Sequence, residues 1–299
     1  MRPWVENYHP RTLKDVVGNV NIIKKLGHMV DTKLQNLIIT GFSGCGKSSS
    51  IFAIIRETGA EHIELNASDE RNISTIRSTI KTFAMKKSVS PKIIVLEEID
   101  NMPKGSQHGI ASLMETTNNT CFILTCNDYN KIIENLTSRC MILKFQTIEI
   151  KDIVKRLTKI CRDARIKPSI DVLNMIAKRS QGDLRKAINL LQTCYLYSEE
   201  QSMENLNICS TEPSSKIIQD IILSCSKQDF DQAKFHLDDL LQQGYDCTDV
   251  ISFLFKECSS MNLDKQISYL KTIGEAHVDI LHGGSKIQLY SLLIKLIRV

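Results

Sequence analysis

The sequence has 299 residues, 42% hydrophobic and 24% charged, with a formal net charge of +4. That length predicts about two to three domains, with enough apolar residues for real cores; the mildly basic balance permits nucleic acid as a partner without requiring it. Residues 1–10 are polar and charged, so no signal peptide is expected, and no apolar run reaches about 18 residues, so no membrane span is expected. Ten cysteines are scattered without a C-x-x-C pair and read as reduced core thiols of an intracellular protein, not as a disulfide framework or a zinc site.

In chain order, residues 1–147 alternate strands with helical patterns. The strands are expected at 36–40 (NLIIT), 61–65 (EHIEL), 92–97 (KIIVLE), 121–126 (CFILTC) and 141–145 (MILKF). Short apolar strands separated by helices predict an α/β domain with a parallel sheet covered on both faces. From about 148 the pattern is wholly helical. KDIVKRLTKICRDARI, SIDVLNMIAKRSQ and DLRKAINLLQTCYLY place apolar residues at helical spacing. Pro168-Ser169 signals a helix start, and Gly182 separates two helices. The polar, proline-containing stretch 201–215 predicts a linker or boundary. Amphipathic helices follow, broken at Gly244 and Gly283-Gly284. The expected organisation is a nucleotide-binding α/β domain over 1–147, a helical lid over 148–207, and a C-terminal helical bundle over 208–299.

The segment NLIITGFSGCGKSSS carries the chemistry. A strand runs into Gly41-x-x-x-x-Gly46-Lys47-Ser48 and then into a helix, which is the phosphate-binding P-loop in its structural context. Gly41, Gly44 and Gly46 let the backbone bend and aim N–H groups at phosphate oxygens. The following helix adds its positive end. Lys47 reaches the β- and γ-phosphates, and the Ser48 hydroxyl can ligate Mg²⁺. The acidic pair that completes such a site ends the strand KIIVLE: Glu97 is assigned to the metal and Glu98 to polarising the attacking water, with Asp100 a structural carboxylate.

Other residues carry two readings. Asn127, after the fourth strand, can bond both the γ-phosphate and the water, or can simply be a turn residue. Arg185, near the start of a lid helix, can reach the γ-phosphate or lie solvated. Arg139, before the fifth strand, is poorly placed for its own P-loop and can serve a neighbouring subunit's nucleotide; the alternative is a solvated surface arginine. Arg71, Arg77, Lys81, Lys86 and Lys87 form a basic cluster in which Arg77 and Lys81 share a helix face. It can touch nucleic-acid phosphates or be a solvated face.

Together these segments resemble a small subunit of replication factor C, the sliding-clamp loader of the AAA+ class. The resemblance rests on PWVENYHPRTLKDVVGN, the P-loop, ELNASDERN (64–72), LEEID, TCN (125–127), SRC (138–140), GDLRKAINLLQ and IGEAHVDILHGG, in family order over essentially the whole chain. It implies an AAA+ P-loop sheet with a helical lid and an all-α collar. It also implies an ATPase subunit of a hetero-pentamer that opens the sliding clamp PCNA and sets it on primer–template DNA, in the nucleus, or in the cytoplasm if the source is archaeal or viral. The implied ATP contacts are Val5 and Val17 near adenine, then Gly41, Phe42, Ser43, Gly44, Cys45, Gly46, Lys47, Ser48 and Ser49 around the phosphates. Asn127 and Arg185 are the implied sensors, with Arg139 a finger acting in trans, and Arg77 and Lys81 the implied template contacts.

The chain departs from the family at Glu97 (Asp in the family), His9 (Arg), Asn72 (Gly), Ser43 (Pro) and Ala111-Ser112 (two Arg). The extra methylene of Glu97 moves its carboxylate by over ~1 Å, which leaves an ATP-binding scaffold with weak hydrolysis as an alternative. Another AAA+ motor, such as a branch-migration helicase, is a second.

Overall fold

Two faces of one sheet decide the fold of the first 209 residues. The computed structural model describes residues 2–32, 34–66, 73–86, 88, 90–117, 119–198, 202–209, 213, 215–261, 265–281, 283 and 285–298, with backbone alone at 73–77, 204 and 207. The chain forms two compact units, Met1–Cys209 and Ser210–Val299.

The first unit opens with α1 (Trp4–Asn7) and α2 (Val20–Asp31), then β1 (Leu37–Thr40), α3 (Lys47–Thr58), β2 (Glu61–Asn66), α4 (Ile73–Met85), β3 (Lys92–Glu97), α5 (Lys104–Thr116), β4 (Thr120–Cys126), α6 (Glu134–Thr137) and β5 (Met141–Lys144). All five expected strands are present, each end within one residue of its expected position. They pair in parallel in the order β2-β3-β4-β1-β5. Alternate residues enter different cores. Ile38, Ile94, Leu96, Phe122 and Leu124 pack with α5 on one face. Leu37, Ile39, Ile93, Val95 and Ile123 pack with α2 and α3 on the other. Burial on both faces is why these strands read as unbroken apolar runs. The chain leaves β1 toward β2 at the far edge and returns across β4 to β5. The crevice at the carboxyl end of β1 is therefore the topological switch point, where open parallel sheets bind ligands.

Lys92, at the first position of β3, is 6% exposed. Its ammonium donates to the carbonyls of Phe83 and Ala84, each at 2.9 Å, and to that of Lys86, and it lies 5.5 Å from the centre of the Phe83 ring. Three donors meet three carbonyls at the end of α4, which would otherwise lack partners. Lys92→Met is expected to lower stability by about 2–4 kcal/mol, since it strips charged hydrogen bonds from buried carbonyls. A urea titration measures the midpoint; an unchanged midpoint contradicts this role.

The lid comprises α7 (Ile150–Asp163), α8 (Ile170–Arg179), α9 (Leu184–Tyr197) and α10 (Met203–Cys209). The Ser169 hydroxyl caps α8 by accepting from Val172 N–H at 3.3 Å, as Pro168-Ser169 predicts. α10 occupies part of the stretch 201–215 read as a linker. Leu206 fills the lid core there, and one buried leucine among polar residues is too short a signal for periodicity to register.

The second unit is α11 (Ser215–Ser226), α12 (Phe230–Gln242), α13 (Cys247–Ser260), α14 (Gln266–Leu281) and α15 (Lys286–Arg298) around one aliphatic core. Gly244 ends α12 with φ +93°; Gly284 lies outside the described residues. Ile267 (85% exposed), Ile287 (76%) and Phe235 (71%) remain on the surface of this unit. All ten cysteines are free thiols. Burial pushes the thiols of Cys121, Cys140 and Cys225 up to about 12, away from the thiolate form. Among the described residues no helix is long and apolar enough to cross a membrane.

Candidate nucleotide-binding site

The loop after β1 bends back before α3, and its geometry depends on glycine. Gly44 has φ +65°, and a Cβ there would lie 1.8 Å from Asp183 Oδ1. Asp183 caps α9 by accepting from Lys186 N–H at 3.0 Å, and Leu184 N–H donates to the Gly44 carbonyl at 3.2 Å. The phosphate loop and the lid thus meet backbone to backbone. Gly44→Ala is expected to cost about 3 kcal/mol, from left-handed strain and overpacking, and so roughly 6–12 °C in melting temperature for a unit of this size. The cost should shrink in an Asp183→Ala background, because the clash is then gone; equal costs in both backgrounds rule out the contact as the cause.

Lys47 opens α3. Its ammonium donates to the carbonyls of Gly41 (2.6 Å) and Phe42 (2.9 Å) and to Asn127 Oδ1 (2.9 Å). Ser48 Oγ donates to Glu97 Oε1 at 2.6 Å, bringing the two expected cation ligands together. These are hard oxygen donors, which suit a small divalent cation. Burial first, and then the charge of Glu97, raise the pKa of Glu64 on the adjacent strand.

Glu98 follows β3 with φ +56°. Its N–H donates to Thr125 Oγ1 at 3.2 Å, and its carboxylate accepts from Asn101 Nδ2 at 3.1 Å. A glutamate in the left-handed region costs about 1–2 kcal/mol, and such strain collects at functional sites.

A cavity of about 200 Å³ joins these groups. Lys47, Ser48, Ser49, Glu97, Glu98 and Asn127 line one side, with Ser43, Gly44 and Gly46 of the loop. Arg185 and Ile188 of α9, Arg156 of α7, and Val5, Tyr8, His9 and Val17 line the other. The lining combines polar groups of the glycine loop with apolar Val5, Val17 and Ile188, which suit a base. Three expected contacts stand apart from the cavity lining: Gly41, whose carbonyl accepts from Lys47, Phe42, which is 72% exposed, and Cys45, which is buried in the core beneath β1.

The amino-terminal segment is held to the lid. Trp4 N–H donates to Gln192 Oε1 at 2.8 Å, the Trp4 ring packs in the lid core, and Arg156 Nη2 donates to the Tyr8 carbonyl at 2.6 Å. Burial, reinforced by Arg56, Arg185 and Arg156 and opposed by a hydrogen bond with Pro10, holds His9 below the usual histidine range. It is therefore neutral at pH 7, whereas the arginine of the family would be charged.

Two further groups support the site: Asp100, expected as a structural carboxylate, and Gln107, which the sequence reading missed. The Asp100 carboxylate accepts from the N–H groups of Asn127 (3.2 Å) and Asp128 (3.0 Å), fixing the strand end that presents Asn127. Buried Gln107 donates to the carbonyls of Ile99 (3.4 Å), Met102 (3.2 Å) and Lys131 (3.2 Å) and accepts from Ile133 N–H at 3.0 Å. It ties the loop after β3 to the loop after β4.

Arg139 is absent from the cavity. It precedes β5, whose Met141 pairs with Leu37 at the start of β1, so it lies at the opposite end of the sheet from the glycine loop. Lys81 is exposed on α4. Arg77 lies on the same helix, its side chain outside the described residues, as are Arg71, Asn72, Lys87 and the ASDERN part of ELNASDERN. Lys86 pairs with Glu61 at 3.5 Å. Ala111 is fully buried beneath the sheet and Ser112 is exposed.

A glycine loop at the switch point of this strand order, an acidic pair on β3 and a helical lid over the cavity define a P-loop ATPase of the AAA+ class. Residues 37–147 match the ATPase family associated with various cellular activities (AAA), 155–196 the RCF1/5-like AAA+ ATPase lid domain, and 213–295 the replication factor C C-terminal domain. The chain is 35% identical over 309 residues to replication factor C subunit 4 of Saccharomyces cerevisiae, covering 98% of this chain and 95% of the relative. It is 34% identical over 310 residues to the replication factor C small subunit of Methanothermobacter thermautotrophicus, covering 98% and 97%. The fold also resembles the RuvB Holliday junction branch migration motor of Thermotoga maritima, with a TM-score of 0.61 at 17% identity over 72% of this chain and 79% of that one. The chain belongs to the replication factor C small-subunit family; it is a nucleotide-binding ATPase and a subunit of a multi-subunit clamp loader. The likeness to RuvB is one of fold alone.

Proposed function

We propose that this chain binds ATP with Mg²⁺ in the cavity between the glycine loop and the lid, and works in the nucleus as one subunit of a hetero-pentamer that opens PCNA and sets it on primer–template DNA. The observation that carries the reading is the separation of Arg139 from its own cavity. β1 has four residues, so the two ends of the sheet stand roughly 10 Å apart or more. In this reading an arginine at the far end serves the nucleotide of another subunit, since it stands away from its own.

In this reading Val5 and Val17 flank the base, Gly41 through Ser49 surround the phosphates, and Lys47 neutralises them. Ser48 and Glu97 hold Mg²⁺, which would screen phosphate charge. Among the described residues no cluster of three or more His, Cys, Asp or Glu could hold a metal unaided. That fits a cation shared between one carboxylate and the phosphates. Glu98 polarises the attacking water, and Asn127 and Arg185 contact the γ-phosphate from strand and lid. Residues 1–147 act as the nucleotide domain, 148–207 as the lid and 208–299 as the collar, whose exposed Phe235, Ile267 and Ile287 suit contact with other subunits. Lys81 and Arg77 lie against the template backbone.

The experiment is co-purification with the other loader subunits, followed by ATPase assays with clamp and primed DNA. Turnover should rise only when both are added to the assembled complex. Failure to assemble overturns the reading, as does DNA unwinding in the absence of clamp.

A further inference from the structure

Arg139 does not lie loose on the surface. Its Nε and Nη2 both donate to Asn135 Oδ1, at 3.1 and 3.0 Å, and Nη2 also pairs with Glu115 Oε1. Asn135 is one turn earlier, on α6, and Glu115 is in the last turn of α5. The two acceptors thus grip one edge of the guanidinium from two different elements. Among the described residues Nη1 has no hydrogen-bond partner, and the side chain stays 34% exposed. The edge bearing Nε and Nη2 is held within this chain, and Nη1 is left open.

We propose that Glu115 and Asn135 are positioning residues that hold Arg139 in the extended, plane-fixed pose in which its free edge meets a phosphate on a neighbouring subunit. This rests on the reading that Arg139 acts in trans. An arginine side chain has large rotamer freedom, and its fork is useful only when its plane is aligned with the anion. Fixing it before docking removes that cost from the docking step. A half-exposed ion pair contributes little to stability, so its loss should appear in turnover and not in folding.

The test uses the assembled complex with clamp and primed DNA. Glu115→Ala and Asn135→Ala should each lower kcat by about 5–10-fold, with KM for ATP and melting temperature unchanged. Glu115→Gln, whose amide oxygen still accepts, should recover most of the rate. In an Arg139→Ala complex neither alanine substitution should have any further effect. The proposal is overturned if Arg139→Ala lowers turnover and Glu115→Ala does not, or if Glu115→Ala costs as much with Arg139 absent as with it present. If Arg139→Ala itself leaves turnover unchanged, the trans reading fails and the positioning role fails with it.

Discussion

Replacing Glu98 with Gln lowers ATP turnover of the assembled complex by about 10²–10⁴-fold while ATP affinity stays near the parent value. The amide keeps the size of the side chain, and its oxygen can still accept from Asn101. The Glu98 N–H keeps its bond to Thr125 Oγ1, so the left-handed turn survives. What is lost is the charge that, in the role proposed for Glu98, draws a proton from water. Loss confined to kcat is the signature of a group that acts in the transition state alone. Steady-state turnover and fluorescent-nucleotide titration on the same samples check both halves. A fall of less than about tenfold would move the water-activating role to another group.

Lys47→Ala acts at an earlier step and should weaken ATP binding by about 10²-fold or more. A charge-assisted bond is worth roughly 1.5–3 kcal/mol, and Lys47 is expected to make one to each of two phosphates. The Lys47 ammonium is aimed at the loop by its bonds to the carbonyls of Gly41 and Phe42 and to Asn127 Oδ1. Lys47→Arg should fail as well, since a planar fork does not reproduce a compact point charge among three convergent oxygens. Nucleotide titration reads the loss directly, and an affinity within a few-fold of the parent value contradicts the assignment.

Legibility followed the range of each interaction. The strand residues Ile38, Ile94 and Phe122 were readable because burial on both faces makes a local apolar run. The glycine loop was readable because backbone conformation there is dictated by residues within eight positions. α1 and α6, with four residues each, are too short for a helical period to show. The supports of the site were opaque for the opposite reason. Asp100 and Asn127 are 27 residues apart, Gln107 and Lys131 are 24 apart, and Arg156 and Tyr8 are 148 apart. In sequence Gln107, Lys131, Arg156 and Tyr8 are each one more residue in a helix or turn, and Asp100 and Asn127, though singled out, do not show there that they pair with each other. Arg139 was visible as a candidate, but Asn135 and Glu115, which separate a held arginine from a solvated one, come from two elements that only the fold brings together. Glu97 shows the converse: its departure from the family's Asp is obvious in sequence, yet its contact with Ser48 is an ordinary 2.6 Å hydrogen bond.

In the binding mode proposed, the attachment of Trp4 and Tyr8 to the lid makes the nucleotide a cross-link among three stretches of chain distant in sequence: the opening segment, the glycine loop and the start of α9. A ligand at a hundred times its dissociation constant adds about 2.7 kcal/mol to the stability of the state that binds it. Here that increment is shared by all three, so emptying the site loosens them together. Proteases should therefore find the first ten residues more readily after ATP is removed, and a bulky fusion at the amino terminus would burden the base pocket before it burdened the fold.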